Sequence, residues 1–348
     1  MDRLMPETYQ TLYRTLISPI SDGTPRPLWS VMIPTYNCAY YLRKTLASVL
    51  EQDPGAEMMQ IEVVDDHSTK DDPQAVVEEL GKGRVGFYQQ PQNVGYIKNF
   101  ETCLQRSRGR LVHLLHGDDR VLQGFYRKLQ QGFEQHPEIG AAFCRHIYMD
   151  ERGNWTGISW LEQPEPGILT NWLERIAVQQ RIQTPSIVVR RDVYERLGGF
   201  DHRMSCWGED WEMWVRIAAN YPVWYEVEPL ALYRKSSTSL TGTSIRIGKN
   251  IQDFRKAVGI VQNYLPNGDA QKLTKIALQN YAFYALNTAN EFAQSGDTSS
   301  AINQLKEALK CCHSSRVLQS SMKLGMKLFY LESLRKIRIK SGTREVNL

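Results

Sequence analysis

Four short apolar runs, each followed by a helical pattern or a turn, constrain this chain more than any other feature. Residues 29–33, 61–64, 85–88 and 111–115 read as strands. Residues 41–52, 73–80 and 97–106 carry apolar residues at helical spacing between them, with Leu42, Leu46, Val49 and Leu50 as the first set. Regular strand–helix alternation predicts a mostly parallel α/β sheet with right-handed crossovers, a Rossmann-like core. In such sheets ligands bind beyond the carboxyl ends of the strands. Polar clusters fall at those ends: Pro34-Thr35-Tyr36-Asn37 after the first run, Asp65-Asp66-His67-Ser68 after the second, and His116-Gly117-Asp118-Asp119 after the fourth. One aspartate after a strand is often only a helix cap; three clusters at matching positions predict one functional cleft.

Length and charge exclude several alternatives. The chain has 348 residues, about two domains' worth. Its net charge of +4 is too small for this length to imply a nucleic-acid partner. No apolar run approaches the ~20 residues of a membrane span, and the N-terminus lacks the apolar core of a signal peptide. The six cysteines show neither CxxC pairing nor zinc-ligand spacing, and read as reduced thiols of a cytoplasmic protein. Residues 1–28 form a lead-in, with a short helix expected over 7–17 before prolines 19, 25 and 27. Beyond about residue 250 the pattern becomes all-helical. Residues 281–294 and 298–310 read as two helices across a Ser295-Gly296-Asp297 turn, matching either one tetratricopeptide-like repeat or a generic helical hairpin.

The clusters have distinct chemistry. Adjacent Asp118 and Asp119 at the end of a buried strand are costly unless neutralised. Mn²⁺ or Mg²⁺ bound together with phosphate oxygens does this, and capping of the following turn is the alternative. Asp65 offers an acceptor for a nucleobase N–H, and Tyr36 a face for stacking. Lys98 offers positive charge to phosphate. In Trp207-Gly208-Glu209-Asp210-Trp211, Asp210 sits at the start of a helical pattern, where it reads as either a general base or an N-terminal cap.

The segments SVMIPTYN (30–37), EVVDDHS (62–68), NVGYIKN (93–99), LLHGDD (114–119), GGFD (198–201) and GEDWEMW (208–214) occur in this order. Together they resemble a family 2 glycosyltransferase with the GT-A fold over about residues 29–240. The resemblance implies a catalytic domain over 29–245 and an all-α domain over 246–348. It implies transfer of a sugar, with inversion, from a nucleotide-sugar donor, UDP-linked, to a hydroxyl of a glycan, lipid-linked or other acceptor. Pro34, Tyr36, Asp65, Lys98 and Asp118 would bind the donor, Asp119 the cation, and Asp210 would be the base. Trp207, Glu209, Trp211, Arg234 and Lys235 would contact acceptor or diphosphate, with residues 184–186 adding to the acceptor cleft. Three positions depart from the family pattern: His116 replaces an aspartate, Lys98 an arginine, and Ser236 a histidine. The alternative is a catalytically degenerate nucleotide-sugar or glycan-binding module acting through its helical tail. Asp65, Asp118, Asp119 and Asp210 argue together against it, since binding alone needs no base. A third class, a nucleotidyltransferase, needs an early Gly-rich phosphate loop, and residues 34–48 hold no glycine.

The segment 323–340 sums to +5, with six basic residues against Glu332. Leu324, Leu328, Leu331, Leu334 and Ile337 recur at helical spacing. This basic amphipathic helix reads either as a surface for an anionic membrane or as a last helix packed on its own domain with solvated lysines.

Overall fold

The computed structural model describes residues 13–21, 23–235 and 240–342, and the side chains of these except at 240–241 and 331–342. Contacts divide the chain into two compact units. The first comprises 1–176, 180–203 and 209–236; the second comprises 177–179, 204–208 and 237–348.

In the first unit β1 (Trp29–Thr35), β2 (Met59–Asp65), β3 (Gly86–Gln89) and β4 (Leu111–Leu114) run parallel, in the order β3-β2-β1-β4. All seven residues of β1 are buried, as expected of a strand covered on both faces. The helices α1 (Ala39–Leu50), α2 (Pro73–Gly81) and α3 (Tyr96–Arg106) supply the crossovers. Leu42, Leu46 and Val49 of α1 are buried, as the helical spacing requires. The sheet continues through β9 (Ile187–Arg190), β6 (Ala141–Met149), β10 (Val223–Arg234) and β5 (Arg120–Val121). Here β9 is antiparallel to β4 and β6, and β10 is parallel to β6, so six of these eight strands point the same way. Short β7 (Trp155–Ile158) and β8 (Gly167–Ile168) pair off the main path. The strand order reverses between parallel β1 and β4, which leaves a crevice outside their carboxyl ends.

Three further helices of this unit are α4 (Phe125–Gln135), α5 (Trp172–Ile176) and α6 (Arg191–Leu197), and α7 (Glu209–Ala218) follows. The expected helix over 7–17 does not reach its expected end: Tyr13 is helical, but Arg14 forms an antiparallel bridge with Asp201, and 15–17 have no regular structure. Positions 7–12 lie outside the described residues. Arg14 draws this segment inward instead. Its guanidinium donates to Glu212 of α7 at 3.1 Å, and Arg216 donates to the other Glu212 oxygen at 2.9 Å. All three side chains are buried.

The second unit holds α8 (Leu240–Arg246), α9 (Lys249–Val261), α10 (Ala270–Gln294), α11 (Thr298–Cys311) and α12 (Ser315–Gly342). The α10 helix is longer than the expected 281–294, and Asp297 caps α11 by accepting from the Ser300 N–H at 3.1 Å. Ala282, Ala285, Ala289, Ala301 and Ala308 form the seam, small enough for close helix approach. Asp253 accepts from the N–H groups of Ser205 and Cys206, both at 3.1 Å, which ties 204–208 into this unit.

Removing one partner of a buried charge network typically costs about 3–5 kcal/mol. Glu212→Ala takes from buried Arg14 and Arg216 the carboxylate they share, and is expected to lower unfolding free energy by about that amount in denaturant titration. A loss below about 1 kcal/mol, the worth of an exposed pair, would refute the network's role.

Candidate active site

The loop after β4 is built around its backbone. Thr45 of α1 donates its hydroxyl to the carbonyls of Gly117 at 3.0 Å and Asp119 at 2.7 Å. A Cβ at residue 117 would lie 2.6 Å from Thr35 Cγ2 and 2.9 Å from Cys38 Sγ, so glycine is required for this approach. Asp119 is buried; its Oδ1 accepts the Arg234 N–H at 2.8 Å, while its Oδ2 has no hydrogen-bond partner. His116 Nδ1 lies 3.6 Å from that Oδ2, and its ring stacks on Phe100 with centroids 5.0 Å apart. One ligand atom from each of His116, Asp118 and Asp119 falls within 4.8 Å of the others.

Electrostatics at this cluster are those of a site short of positive charge. Burial raises the Asp119 carboxyl well above its ordinary range, and Asp118 raises it further. Burial also raises Asp118, against the opposing pull of Arg234. His116 is pushed down to about 4 by burial, so its ring is neutral at neutral pH with a lone pair to give. A buried carboxylate oxygen without a donor, beside a second carboxylate and a neutral imidazole, fits a divalent cation. His116, a departure from the family pattern, thus brings a ligand atom rather than removing one.

Arg234 does not stand where a diphosphate contact was expected. It is buried, its Nε donates to the Asp118 carbonyl at 2.9 Å, and its Nη1 donates to the carbonyls of Asp150 and Glu151. Its guanidinium lies over the Tyr41 ring, 4.3 Å from the centroid. The arginine is a clasp for the acidic loop. Lys235 next to it is exposed, with its ammonium 3.9 Å from the Tyr148 ring centroid. Ser236 lies outside the described residues.

Asp65 is fully buried and its carboxylate is already engaged. It accepts from Thr35 Oγ1, Ser68 Oγ, Ser68 N and Gln89 Nε2, four donors for a group with about four lone-pair sites. A nucleobase N–H would have to displace one of them. Asp66 similarly accepts from the N–H groups of Val94 at 2.7 Å and Gly95 at 3.0 Å, fixing the loop that starts α3. Lys98 projects from that helix, exposed. Tyr36 is half exposed, while Pro34 is buried within β1.

At the start of α7, Asp210 accepts from Gln180 Nε2 at 2.7 Å and from the Trp211 N–H at 2.7 Å. Burial lifts its carboxyl to about 6, in spite of these hydrogen bonds. Glu209 beside it is buried. Trp211 is not an acceptor surface: it is fully buried and donates its indole N–H to the Ile176 carbonyl at 2.7 Å, propping α7 from behind. Trp207 packs in the other unit, its ring against Phe254 and its N–H on Ser244. Residues 184–186 form a buried 3₁₀ turn, so they line no open acceptor cleft. Sequence reasoning passed over two residues here. Gln180 carries no motif, and Tyr233 was only part of a longer segment. Burial pushes the Tyr233 phenol up, and the charges of Asp119, Asp118 and Asp210 all push it the same way. The charges of all three acids are thus felt at this one phenol.

Because the folded-state pKa of Asp210 lies above its reference of 3.8, the protonated form's stability is present below about pH 4. It is lost as pH rises through about 6. Asp210→Asn cannot ionise. Denaturant titrations across pH should find it level with the wild type near pH ~4 and about 1–3 kcal/mol more stable near pH ~7.5. Parallel curves at both ends would contradict a raised Asp210.

Comparison with known proteins agrees with this geometry. Residues 30–198 match Glycosyl transferase family 2. The putative teichuronic acid biosynthesis glycosyltransferase TuaG of Bacillus subtilis (strain 168) is 30% identical over 184 residues, 48% of this chain and 70% of that protein. An uncharacterized protein of Mycobacterium tuberculosis, MT1568, is 28% identical over 270 residues, 72% of this chain and 81% of that one. Among solved structures, S. aureus TarS 1–349 in complex with UDP-GlcNAc superposes with a TM-score of 0.63 at 18% identity, covering 88% of this chain and 91% of that one. The mannosyltransferase PcManGT from Pyrobaculum calidifontis, in complex with GDP-Man and Mn²⁺, gives 0.54 at 17% identity over 94% and 91%. At such identities the likeness is one of fold, the GT-A fold. The ordered motifs, the switch-point crevice and the TuaG match together establish that the chain belongs to glycosyl transferase family 2 and is a glycosyltransferase.

Proposed function

We propose that the protein is an inverting glycosyltransferase. It moves a sugar from a UDP-linked donor to a hydroxyl of a glycan or lipid-linked acceptor in glycoconjugate assembly, with 29–245 as the catalytic domain and 246–348 as a helical domain. The observation that carries the reading is the cluster of His116, Asp118 and Asp119, whose ligand atoms lie within 4.8 Å of one another around an Asp119 oxygen without a donor. Beside that acidic pair, short of positive charge, the chain offers one carboxylate raised to about 6, Asp210.

Asp210 is the base. With a pKa of about 6 it is mostly ionised at neutral pH, yet basic enough to take a proton from an acceptor hydroxyl. The Gln180 amide and the Trp211 N–H each occupy one lone pair of a different Asp210 oxygen, which fixes the carboxylate and leaves it further acceptor capacity. Asp119, with Asp118 and His116, would hold Mn²⁺ or Mg²⁺, which supplies positive charge to the departing diphosphate. Tyr36 offers its half-exposed ring to the base of the nucleotide, and Lys98 offers its ammonium to the phosphates. Titanic binding is not asked of these residues; orientation of the donor over Asp210 is.

The test pairs two variants with a donor screen. Asp210→Asn is expected to bind UDP-sugar as the wild type does in calorimetry and to lose at least ~10²-fold in kcat/KM. Asp119→Asn should weaken both binding and turnover. In the wild type, kcat/KM should fall about tenfold per unit of pH below ~6 and level off above it, because the base must be ionised. Near wild-type turnover by Asp210→Asn would remove it as the base. Full activity in excess EDTA would remove the cation.

A further inference from the structure

The last helix presents two unlike faces. Val317, Ser321, Leu324 and Leu328 of α12 are buried, and the helix packs on α10 and α11. Leu318, Met322, Met326, Phe329 and Tyr330 are exposed, Met322 at 67%, Met326 at 64% and Tyr330 at 62%. At 100° per residue, these exposed residues share an arc of about 120°, turned away from the buried row. Scattered exposed apolar residues are ordinary, but five large ones on one helix face form a patch. Lys323 and Lys327 border that arc; Lys323 is exposed, and the Lys327 ammonium donates to the neutral amide oxygen of Asn290 at 2.7 Å. The helix continues to Gly342 through a sequence that adds Arg335, Lys336, Arg338 and Lys340 against a single acid, Glu332.

We infer that α12 is a docking surface for an anionic lipid bilayer, with its apolar arc inserted at the headgroup boundary and its basic residues on the phosphates. Charge complementarity selects this occupant. A second copy of the chain would bring one +5 segment against another, whereas an anionic leaflet neutralises both the bordering lysines and the run that follows. Neither part is sufficient alone. Peripheral binding draws on inserted apolar area and on attraction to anionic lipid together, and this helix carries both in register. Among the described residues no helix is long and apolar enough to cross a membrane, so the attachment is to a surface. This inference stands apart from the reading of the transferase site, because it uses none of that site's residues.

Vesicle flotation of the full chain tests it, with phosphatidylcholine alone against phosphatidylcholine plus phosphatidylglycerol. Wild type is expected to float with the anionic vesicles and to remain below with the neutral ones. A Met322→Ser/Met326→Ser/Tyr330→Ser variant should lose at least tenfold in vesicle affinity at an unchanged melting temperature, since these side chains are exposed in the folded protein. Lys323→Glu should lose affinity too, and the loss should shrink as salt rises. Wild type that stays with the unbound protein, or an apolar variant that floats as well as wild type, would overturn the inference. So would concentration-dependent self-association in sedimentation velocity that the apolar variant abolishes without any vesicle binding; the face would then join copies of the chain.

Discussion

The site depends on how one arginine holds two carboxylates without neutralising them. Arg234 gives its backbone N–H to Asp119 Oδ1, but its guanidinium goes to carbonyls: Asp118, Asp150 and Glu151. Its charge therefore fastens three stretches of main chain together and leaves Asp119 Oδ2 without a donor. Had the guanidinium made a bidentate pair with either carboxylate, that acid would be held below its ordinary range. Instead both acids are raised, and the shortage of positive charge persists in the folded state. In the proposed reading that shortage is what a divalent cation would fill.

The remaining loops are fixed by the same economy of donors. Parallel register puts Thr35 beside Asp65 at the ends of β1 and β2, and the Thr35 hydroxyl closes onto the Asp65 carboxylate at 3.2 Å. Asp65 then gathers Ser68 and Gln89, and Asp66 gathers Val94 and Gly95. Asn37 adds the N–H groups of Thr69 and Lys70 to its side-chain oxygen. Loops at strand ends are ordinarily the mobile part of an α/β protein. Here each acidic motif binds the backbone of the next, so the crevice between β1 and β4 has walls before any ligand arrives. The aspartates of the second cluster act on the protein itself, and those of the fourth are left for something else.

This division was only half legible in the sequence. The runs that became β1, β2 and β4 were readable because strands buried on both faces are continuously apolar, and α1 because Leu42, Leu46 and Val49 keep one face. The order of β9, β6 and β10 was not, since antiparallel insertion between parallel strands leaves no mark on local periodicity. Motif spacing singled out Asp65, Asp118, Asp119 and Asp210 as candidates. It could not distinguish Asp65, saturated by protein donors, from Asp119, which is not, because that difference lies in residues 24 and 115 positions away. Trp211 and Arg234 misled for the same reason. An aromatic or a cation beside a catalytic motif reads as a ligand contact, and only packing reveals that it faces the core. The expected helix over 7–17 stops short of residue 17, because Arg14 finds Glu212 and Asp201, partners almost two hundred residues ahead.

The distribution of strain explains why α7 is anchored as heavily as it is. Raising a carboxyl from its reference to about 6 means that the folded state holds an ionised group at neutral pH less well than water does. The Asp118–Asp119 pair adds to that load. Something must hold the carboxylate where relaxation toward solvent would lower its energy. On α7 the next residue, Trp211, is fully buried and bonded to Ile176; Glu212 is clamped between Arg14 and Arg216; and Trp214 lies in the core. Three contacts within about one turn thus secure a helix whose first turn carries the raised acid. Stability given up at Asp210 is recovered one residue away, and the recovered part is what holds the Asp210 carboxylate against Gln180 and the Trp211 N–H.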